Sequence, residues 1–350
     1  MKVIQIGVGG FGRYWLENVL GYPGVHLAAM VDISEEALAE AGERSGLDKS
    51  LWFDDLEEAI TAVDADVLLC VTPPVLHKAH TTLAMRSGLD VIVEKPLALD
   101  MADALAMAEV ARETGRLMAV SQQYRYRPQT WTLNRQIAQG AIGELGQARI
   151  DFYKGWYFDE SDFRRTMDDV LLVDMAIHHF DLLRFVTGLQ AISVQGESWN
   201  PPWSENSGDT SLNLTFTLSN GARFVYNASW AAQGDFDDWN GNWLLEGEKG
   251  SLRLAGNDIE WRQAIGNYQT NAPLLLRPSS PTVEGQGYVL ADMMAARAEG
   301  RQPATSVFDN LHSLAMVMAA REAVRSGKRE KVISDLPQYH PRQRTAGEKL

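Results

Sequence analysis

Three glycines near the amino terminus have the spacing of a phosphate-binding loop. The stretch Gly7–Gly12 reads GVGGFG, follows the apolar run Val3–Ile6 and leads into a helical pattern, Phe11–Val19. Glycines allow the backbone to approach a pyrophosphate closely, and the first amides of a helix favour negative charge. The motif therefore predicts a dinucleotide cradle formed by Gly7, Gly9, Gly10, Phe11 and Gly12.

An acidic residue stands where such a cradle needs one. Asp32 follows the next apolar run, Val25–Val31, twenty residues after Gly12. A carboxylate in this place accepts hydrogen bonds from a ribose and repels a 2′-phosphate, and Ile33 offers no cation to bind that phosphate. Asp32 and Ile33 therefore favour NAD over NADP. The alternative for Asp32 is a simple helix N-cap or strand end.

Two further polar motifs end apolar runs. Thr72-Pro73-Pro74 ends the run Val67–Val71, with His77 close behind, and Glu94-Lys95-Pro96 ends the run Val91–Val93. Ligands bind outside the carboxyl ends of parallel strands, so both motifs are predicted to line the cofactor groove. The lysine there can hold a substrate hydroxyl and stabilise its developing alkoxide. A proline-stiffened turn and a surface ion pair are the alternatives.

The segment Val170–Thr187 has a helical pattern and carries an acid and a histidine four residues apart. Asp174 and His178 therefore share one face of the helix, with Asp181 near it. A carboxylate that orients an imidazole forms a general-base unit. A core histidine is one alternative. A metal site of the same three residues is another, but the chain supplies no evident further ligand, so no metal is predicted.

These motifs lie on an alternation of apolar runs and helical segments. Runs that are apolar throughout, separated by helical patterns, are typical of parallel strands covered by helices on both sides. Such connections build a doubly wound sheet of the Rossmann type. We predict an α/β chain whose first domain, residues 1–123, binds the dinucleotide.

The second part of the chain changes to strands with one apolar face. Ser211–Leu218 and Ala222–Trp230 alternate between apolar and polar residues and flank Asn220-Gly221, a hairpin signal. One helix interrupts the strands of this part and two helices close it. We predict an α+β domain at 124–335 with a large, mostly antiparallel open sheet, followed by a polar tail at 336–350.

Composition narrows the classes of function. Acidic residues outnumber basic ones 46 to 32, and the formal charge of −14 disfavours nucleic acid and anionic membranes as partners. Cys70 is the only cysteine and lies in an apolar run, which argues against a disulfide and a cysteine-cluster metal site. The sequence shows neither an apolar stretch of about 18 residues nor a signal-peptide pattern. We expect a cytoplasmic protein that acts on a small molecule.

In order and spacing, the glycine loop, Asp32, Thr72-Pro-Pro-Val-Leu-His77 and Glu94-Lys-Pro96 resemble the Gfo/Idh/MocA family, the glucose–fructose oxidoreductase and inositol dehydrogenase relatives. The likeness covers nearly the whole chain. It implies a Rossmann domain followed by an open-sheet domain that commonly mediates oligomerisation, so we expect a homodimer or homotetramer. It also implies that Lys95 lies at the nicotinamide and the substrate.

The resemblance further implies an NAD-dependent dehydrogenase of a sugar, cyclitol or sugar derivative. Asp174 and His178 are then the substrate-facing residues of a D-x-x-x-H motif: His178 takes the hydroxyl proton, Asp174 orients the imidazole and Lys95 polarises the oxygen. Many members have a glycine-rich run before this motif, where this chain has Thr166–Val170, so the particular substrate is left open. The expected cofactor and cleft residues of the segment before the second domain are Gln123, Tyr124 and Arg125.

Aromatic and cationic residues precede the D-x-x-x-H helix. They suit a polyhydroxylated ring, whose C–H faces pack on aromatic rings while its hydroxyls bond polar groups. The substrate residues predicted here are Tyr153, Trp156 and Arg164, and their alternative roles are packing and surface charge. The tryptophan-rich segments 199–203 and 239–243 allow three interpretations: a lid, a subunit contact or packing.

Two other functions stay open at this point. An enzyme that oxidises, eliminates and reduces again would cleave a glycoside without net use of NAD. A regulator that binds NAD without catalysis is the other class, and the presence of Lys95, Asp174 and His178 argues against it.

Overall fold

The structure is a computed structural model that describes residues 1–160, 162–234, 236–266 and 268–338. Most of the tail predicted from residue 336 therefore lies outside the described residues. Leu336, at the start of that tail, is buried against the core.

A parallel sheet of six strands occupies the first 120 residues, all of which are described. Its strands are β1 (Lys2–Ile6), β2 (His26–Val31), β3 (Trp52–Phe53), β4 (Val67–Cys70), β5 (Asp90–Val93) and β6 (Met118–Val120). They lie in the order β3-β2-β1-β4-β5-β6 and pair in parallel. In this doubly wound order the ligand crevice lies between β1 and β4, where the winding reverses. The predicted Rossmann sheet is confirmed.

Helices connect these strands and cover the sheet. They are α1 (Gly12–Gly21), α2 (Glu35–Ser45), α3 (Leu56–Ala62), α4 (Pro74–Arg86) and α5 (Met101–Thr114). Local sequence sets their ends, because Ser34 and Asp100 cap the first amides of α2 and α5 with their side chains. Gly46 and Gly115 end the same helices in the left-handed conformation, at φ 65° and 68°.

The second sheet has ten strands among the described residues. They are β7 (Leu145–Tyr153), β8 (Ala191–Trp199), β9 (Ser211–Leu218), β10 (Arg223–Ser229), β11 (Asn242–Gly247), β12 (Gly250–Ala255), β13 (Asp258–Gly266), β14 (Gln269–Thr270), β15 (Leu274–Leu276) and β16 (Glu330–Lys331). Strands β7 and β10 pair in parallel and the other pairs are antiparallel, so the predicted mostly antiparallel sheet is confirmed. The sequence interpretation missed β13, β14, β15 and β16 of this sheet, and β3 of the first sheet.

The helices of this part differ from the prediction in two places. They are α6 (Pro128–Ala138), α7 (Ile177–Thr187), α8 (Gly285–Glu299) and α9 (Val307–Ser326). The sequence interpretation missed α6. The single helix predicted at Val170–Thr187 is instead a π-helix over Leu171–Ala176 that continues into α7.

The two halves of the chain share their cores. Val289, Leu290 and Met293 of α8 pack with Val3 and Trp15 of the first half. Helix α9 contacts both α5 and β8, and its buried residues belong to one cluster with those of both sheets. Helices α8 and α9 therefore join the two halves through shared apolar packing. Within the described residues, no helix combines the length and apolar character needed to cross a bilayer.

Candidate active site

The glycine loop after β1 is a tight turn that leaves no room for side chains at two positions. Gly7 has φ 84°, and a Cβ there would lie 2.6 Å from the Val71 carbonyl oxygen. A Cβ on Gly12 would lie 2.1 Å from the Gly7 oxygen. Gln5 Nε2 holds the turn from below by donating to the oxygens of Gly12 and Gly7 at 2.8 and 3.1 Å. The loop therefore presents bare backbone at the start of α1, which fits a pyrophosphate.

Asp32 closes this loop from the end of β2. Its Oδ2 accepts from the amides of Val8 and Gly9 at 2.9 and 3.4 Å, and its Oδ1 accepts from Ser34 N at 3.0 Å. Each carboxylate oxygen can accept further bonds, so ribose hydroxyls have acceptors here. Ile33 is 93% exposed beside it. This arrangement, like the glycine turn, fits NAD.

A cavity of about 510 Å³ opens at the carboxyl ends of β1, β4 and β5. Its lining joins the glycine loop, the strand-end motifs and the second domain: Gly9, Gly10, Phe11, Val71, Thr72, Pro73, Pro74, Glu94, Lys95, Gln123, Tyr124, Trp156, Phe158, Asp162, Phe163, Arg164, Asp174, Met175, His178, Trp230 and Trp239. One cavity therefore contains both the expected cofactor groove and the predicted catalytic residues.

Lys95 and Asp174 form an ion pair on the wall of this cavity. Lys95 Nζ lies 2.8 Å from Asp174 Oδ1 and 2.8 Å from the backbone oxygen of the same residue. Arg164 Nε donates to Asp174 Oδ2 at 3.1 Å. Burial opposes ionisation of Asp174, but Lys95 and Arg164 outweigh it and lower the pKa of this carboxyl below its ordinary value. An ammonium has three N–H donors, so one is left for a ligand oxygen.

His178 stands in the same cavity between an amide and a stacked ring. Its Nδ1 lies 3.2 Å from Gln122 Oε1. The ring stacks on Tyr124 with centroids 4.1 Å apart, and the Arg127 guanidinium covers the Tyr124 ring at 3.5 Å. Burial, followed by the charge of Lys95 and the nearby His179 and Arg127, holds the pKa of His178 well below its ordinary value. The imidazole is therefore neutral at neutral pH.

The predicted contact between Asp174 and His178 is wrong, although both side chains line the cavity. Both carboxylate oxygens of Asp174 accept from Lys95 and Arg164, and His178 has Gln122 as its partner. The backbone at Asp174 is the π-helix, a wide turn that is frequent at functional sites. The four-residue spacing indicated a shared face but not the partners that other segments supply.

Among the predicted substrate residues, Arg125 and Tyr153 do not line the cavity. Arg125 is buried away from it, and its guanidinium donates to Asp181 at 2.6 and 2.5 Å and to Asp309 at 2.6 Å. Successive side chains of a strand point to opposite faces of the sheet. Phe152 of β7 is buried in the core, so its neighbour Tyr153 points to the solvent side. Tyr124, Trp156 and Arg164 do line the cavity, beside the three catalytic candidates.

The predicted cofactor residues divide into those that line the cavity and those that lie outside its lining. Gly9, Gly10, Phe11, Thr72, Pro73, Glu94, Lys95 and Gln123 line it, whereas Gly7, Gly12, Asp32, Ile33 and His77 do not. His77 is buried between the strand ends, with Nε2 2.9 Å from Thr72 O and Nδ1 3.0 Å from Pro96 O. The Glu94 carboxylate also has partners within the protein, since it accepts hydrogen bonds from Trp15 Nε1 at 2.7 Å and from Lys95 N at 3.0 Å.

Several functional candidates escaped the sequence interpretation: Gln122, Arg127, Phe158, Trp230 and Trp239. Gln122 and Arg127 flank the predicted stretch Gln123–Arg125, but local sequence did not show which of its side chains meet His178. Trp230 ends an alternating strand and Trp239 lies in one of the two tryptophan-rich segments. Trp239 lines the cavity, whereas Trp243 of the same segment is buried in the core, so packing is the role observed for Trp243.

Asp181 does not join Asp174 and His178, because its carboxylate lies 2.5 Å from the Arg125 guanidinium. Within the described part of the chain, no group of three or more His, Cys, Asp or Glu side chains is arranged to hold a metal ion.

Comparison with known proteins agrees with this geometry. Residues 1–122 match the model of an oxidoreductase family with an NAD-binding Rossmann fold, and residues 130–253 match the GFO/IDH/MocA C-terminal domain. The chain belongs to the Gfo/Idh/MocA oxidoreductase family. It is 30% identical over 361 residues to the protein y4oX of Sinorhizobium fredii, and the alignment covers 97% of each chain.

Other relatives of this Gfo/Idh/MocA protein have named activities. It is 26% identical over 336 residues to the D-apiose dehydrogenase of Paraburkholderia graminis, covering 93% of this chain and 88% of that one. An oxidoreductase from Agrobacterium radiobacter, solved in complex with NAD+, L-tartaric acid and magnesium, shares the fold with a TM-score of 0.83 at 23% identity. That match covers 95% of this chain and 98% of the other. The predictions of an enzyme in an oxidoreductase family, and of NAD as its dinucleotide, are confirmed.

Proposed function

We propose that this enzyme uses NAD to oxidise a hydroxyl-bearing carbon of a neutral sugar, cyclitol or sugar derivative, or runs the reverse reduction. The observation that carries the proposal is the position of Lys95. Its Nζ lies 2.8 Å from Asp174 Oδ1, in the cavity that also contains His178 and the glycine loop. The named activity of the D-apiose dehydrogenase relative supports a carbohydrate as the substrate class.

The charges of the cavity favour a neutral substrate. Lys95 and Arg164 both pair with Asp174, and Arg164 also lies 3.4 Å from Asp162. Each cation therefore already has an anionic partner. A carboxylate or phosphate on the substrate would compete with these acids, whereas hydroxyls can add bonds to both kinds of group.

Lys95 is the group that polarises the reacting oxygen. Two of its N–H bonds go to Asp174, which fixes the ammonium in one position before a substrate arrives. The remaining N–H can donate to the substrate hydroxyl and stabilise the negative charge that develops on that oxygen. Because the donor is already oriented, little reorganisation is needed during the reaction.

His178 is the group that takes the hydroxyl proton. Gln122 Oε1 is an acceptor, so the imidazole donates its Nδ1–H there and carries its lone pair on Nε2. Nε2 has no hydrogen-bond partner among the described residues, and His178 lines the cavity. In oxidation the proton passes from the substrate oxygen to Nε2, and in reduction it returns from Nε2 to the oxygen.

The glycine loop, Asp32 and Thr72 are the residues that would hold NAD. When bound, NAD supplies a nicotinamide ring that accepts the hydride from the carbon being oxidised, or donates it in the reverse direction. The contribution of the chain is to position this ring and the substrate next to each other in one cavity.

The decisive experiment measures NADH absorbance while the protein is incubated with NAD and a panel of neutral polyols. NADH should form on at least one sugar or cyclitol. Lys95→Ala and His178→Asn should each lower kcat by about 10²–10⁴, while NADH binding, measured by fluorescence, is retained. Lys49→Ala and His26→Asn change exposed residues outside the cavity and serve as matched controls.

Two other results would contradict the proposal. Release of a sugar from a glycoside without net NADH would assign the redox-cycling hydrolase instead. Full activity in Lys95→Ala would show that Lys95 does not polarise the reacting oxygen.

We also infer that the chain assembles as a homodimer or homotetramer through the face of the second sheet that α7 and α9 leave uncovered. Outward-facing residues of this sheet, such as Thr215 and Val225, are only half-buried within one chain. Light scattering should give two or four chain masses, and a monomer at micromolar concentration would contradict the inference.

A further inference from the structure

Four aromatic side chains from the second part of the chain form one side of the cavity. Trp156, Phe158, Trp230 and Trp239 line the same cavity as Lys95 and His178. We call this group the aromatic wall. The proposed oxidation of one carbon uses Lys95, Asp174 and His178 and leaves the aromatic wall without an assigned role.

The aromatic wall is built as a unit. Trp156 N donates to the Trp230 oxygen at 3.0 Å, and Gly155 pairs with Ala231 in an antiparallel bridge. The Trp156 and Trp239 rings meet edge to face at 5.0 Å and 70°. Phe158 and Trp230 meet in the same way at 5.2 Å and 68°. Such pairs hold each ring in a defined orientation, so the wall presents a preformed surface.

The exposure of these residues changes along the wall. Trp230 and Phe158 are buried, at 3% and 5% exposure, whereas Trp156 is 44% exposed. Phe163, which also lines the cavity, is 47% exposed. An apolar surface thus runs from the interior of the cavity to its mouth. A ligand that reaches Lys95 with one ring can lay a further ring along this surface.

The polar groups of the cavity are distributed unevenly. Lys95, Asp174, Arg164 and Asp162 bond one another and surround the reacting end. The aromatic wall offers apolar ring faces instead. Ring faces pack on the C–H surface of a sugar or on an aryl group.

We propose that the aromatic wall is a second subsite, which holds a ring linked to the ring that is oxidised. The substrate is then a glycoside, namely a disaccharide or an aryl glycoside, in preference to a free monosaccharide. This inference rests on the proposed function, because it takes the oxidised ring to lie at Lys95 and His178.

The test compares matched pairs of substrates in the NADH assay. Glucose is paired with cellobiose and with phenyl β-glucoside, galactose with lactose and phenyl β-galactoside, and xylose with xylobiose. For at least one pair, kcat/KM should be about tenfold higher with the second ring, which corresponds to roughly 1.4 kcal/mol of apolar contact. Trp156→Ala should remove most of this ratio, because it removes the half-exposed ring of the wall without opening the core.

Matched variants separate the subsite from a general effect of substitution. Trp156→Phe keeps a ring and should retain most of the ratio. Trp199→Ala removes an exposed tryptophan at the end of β8 that does not line the cavity, and it should leave the ratio as in the unchanged protein. A far-ultraviolet circular dichroism spectrum checks that each variant is folded.

The outcomes distinguish failure of the subsite from failure of the proposed function. Monosaccharides oxidised as well as their glycosides, with no change of ratio in Trp156→Ala, would overturn the subsite and leave the proposed function standing. Absence of NADH with every member of every pair would overturn the subsite. Absence of NADH also on the whole panel of neutral polyols, in a protein that still binds NADH, would overturn both.

Discussion

At the scale of single residues, the hydrogen bond to Gln122 determines which nitrogen of the His178 imidazole carries the proton. The imidazole has Lys95, Arg127 and His179 as its charged or titratable neighbours and Tyr124 stacked on its face, and its pKa is lowered mainly by burial. It stays able to accept a proton until the pH falls through this lowered pKa. The acid limb of kcat/KM should therefore lie below the ordinary histidine range.

Gln122→Glu should move that limb. A carboxylate facing Nδ1 stabilises the protonated imidazole, so the pKa of His178 rises and the acid limb shifts to higher pH by about 1–2 units. The measurement is kcat/KM against pH with the best substrate. Gln122→Met removes the hydrogen bond without adding charge and should lower kcat about fivefold to tenfold with no upward shift of the limb. An unchanged limb in Gln122→Glu would show that Gln122 does not position the imidazole.

Asp32 and Ile33 should decide the choice between the two dinucleotides. Asp32→Ser removes the carboxylate that repels a 2′-phosphate, and Ile33→Arg adds a cation at an exposed position beside it. The double variant should gain about 10–100-fold in kcat/KM with NADP relative to NAD. Ile33→Arg alone keeps the bonds from Asp32 to Val8 and Gly9, so it is the control for loosening of the loop. A preference unchanged in the double variant would place the ribose elsewhere.

The residue scale also shows how far local sequence reaches. Spacing predicted that Asp174 and His178 share a helix face, and that Lys95 ends a buried strand, because strand ends and helix faces follow from periodicity. That the three residues meet at one site was implied by the resemblance to the family. Spacing did not reveal that Asp174 pairs with Lys95 and Arg164 rather than His178. Nor did it show that the Arg125 guanidinium is paired with Asp181. Lys95 lies 79 residues from Asp174 in the chain and Arg125 lies 56 residues from Asp181. Long-range contacts of this kind have no signature in one sequence.

At the scale of elements, the turn into α1 depends on the absence of side chains. Gly12→Ala places a Cβ 2.1 Å from the Gly7 oxygen, so the turn or the first residues of α1 must move. Overpacking of this size costs about 1–3 kcal/mol, and NADH affinity should fall about tenfold to a hundredfold, measured by fluorescence titration. Gly21→Ala, at the end of the same helix, meets nothing within 4 Å and should leave affinity unchanged. Equal NADH affinities in the two variants would show that NAD binding does not depend on the shape of this turn.

The elements that sequence patterns missed have weak patterns for physical reasons. Helix α6 buries Thr130, Thr132 and Leu133, so its inner face does not stand out as apolar. The hydroxyls of Thr130 and Thr132 are instead satisfied by backbone oxygens of Tyr124 and Pro128 at 2.6 and 2.7 Å. The π-helix before α7 is a change of backbone pitch within one apolar segment, which residue types do not distinguish from an α-helix. Strands β1, β4 and β5 were predicted well because they are apolar on both faces.

At the scale of the whole molecule, the two sheets should unfold together. Val120 N, at the edge of the first sheet, donates to Thr305 O at 2.8 Å. The segment around Thr305, which belongs to the second half of the chain, therefore lies beside β6 and bonds to it. Helix α8 fills the first core and α9 packs against both halves. Since neither half has a complete core without the other, scanning calorimetry should give one cooperative transition. NAD, which binds the folded state, should move that whole transition to higher temperature. Two transitions, with only one moved by NAD, would contradict this expectation.

The buried ion network around Arg125 should matter most for that transition. Arg125 joins the segment after β6 to Asp181 on α7 and to Asp309 on α9, and Asp181 is 1% exposed. Arg125→Met leaves the buried Asp181 carboxylate with Arg184 at 3.8 Å as its remaining cation in place of two short hydrogen bonds from Arg125. The loss should cost about 3 kcal/mol of unfolding free energy and lower Tm while the single transition remains. Arg325→Met is the matched control, because Arg325 is 51% exposed and its partner Asp169 also binds Arg321. Its cost should stay below about 1 kcal/mol. Equal costs for the two variants in chemical denaturation would mean that the buried network contributes no more to stability than an exposed ion pair, and that the shared apolar cores carry the stability of the fold.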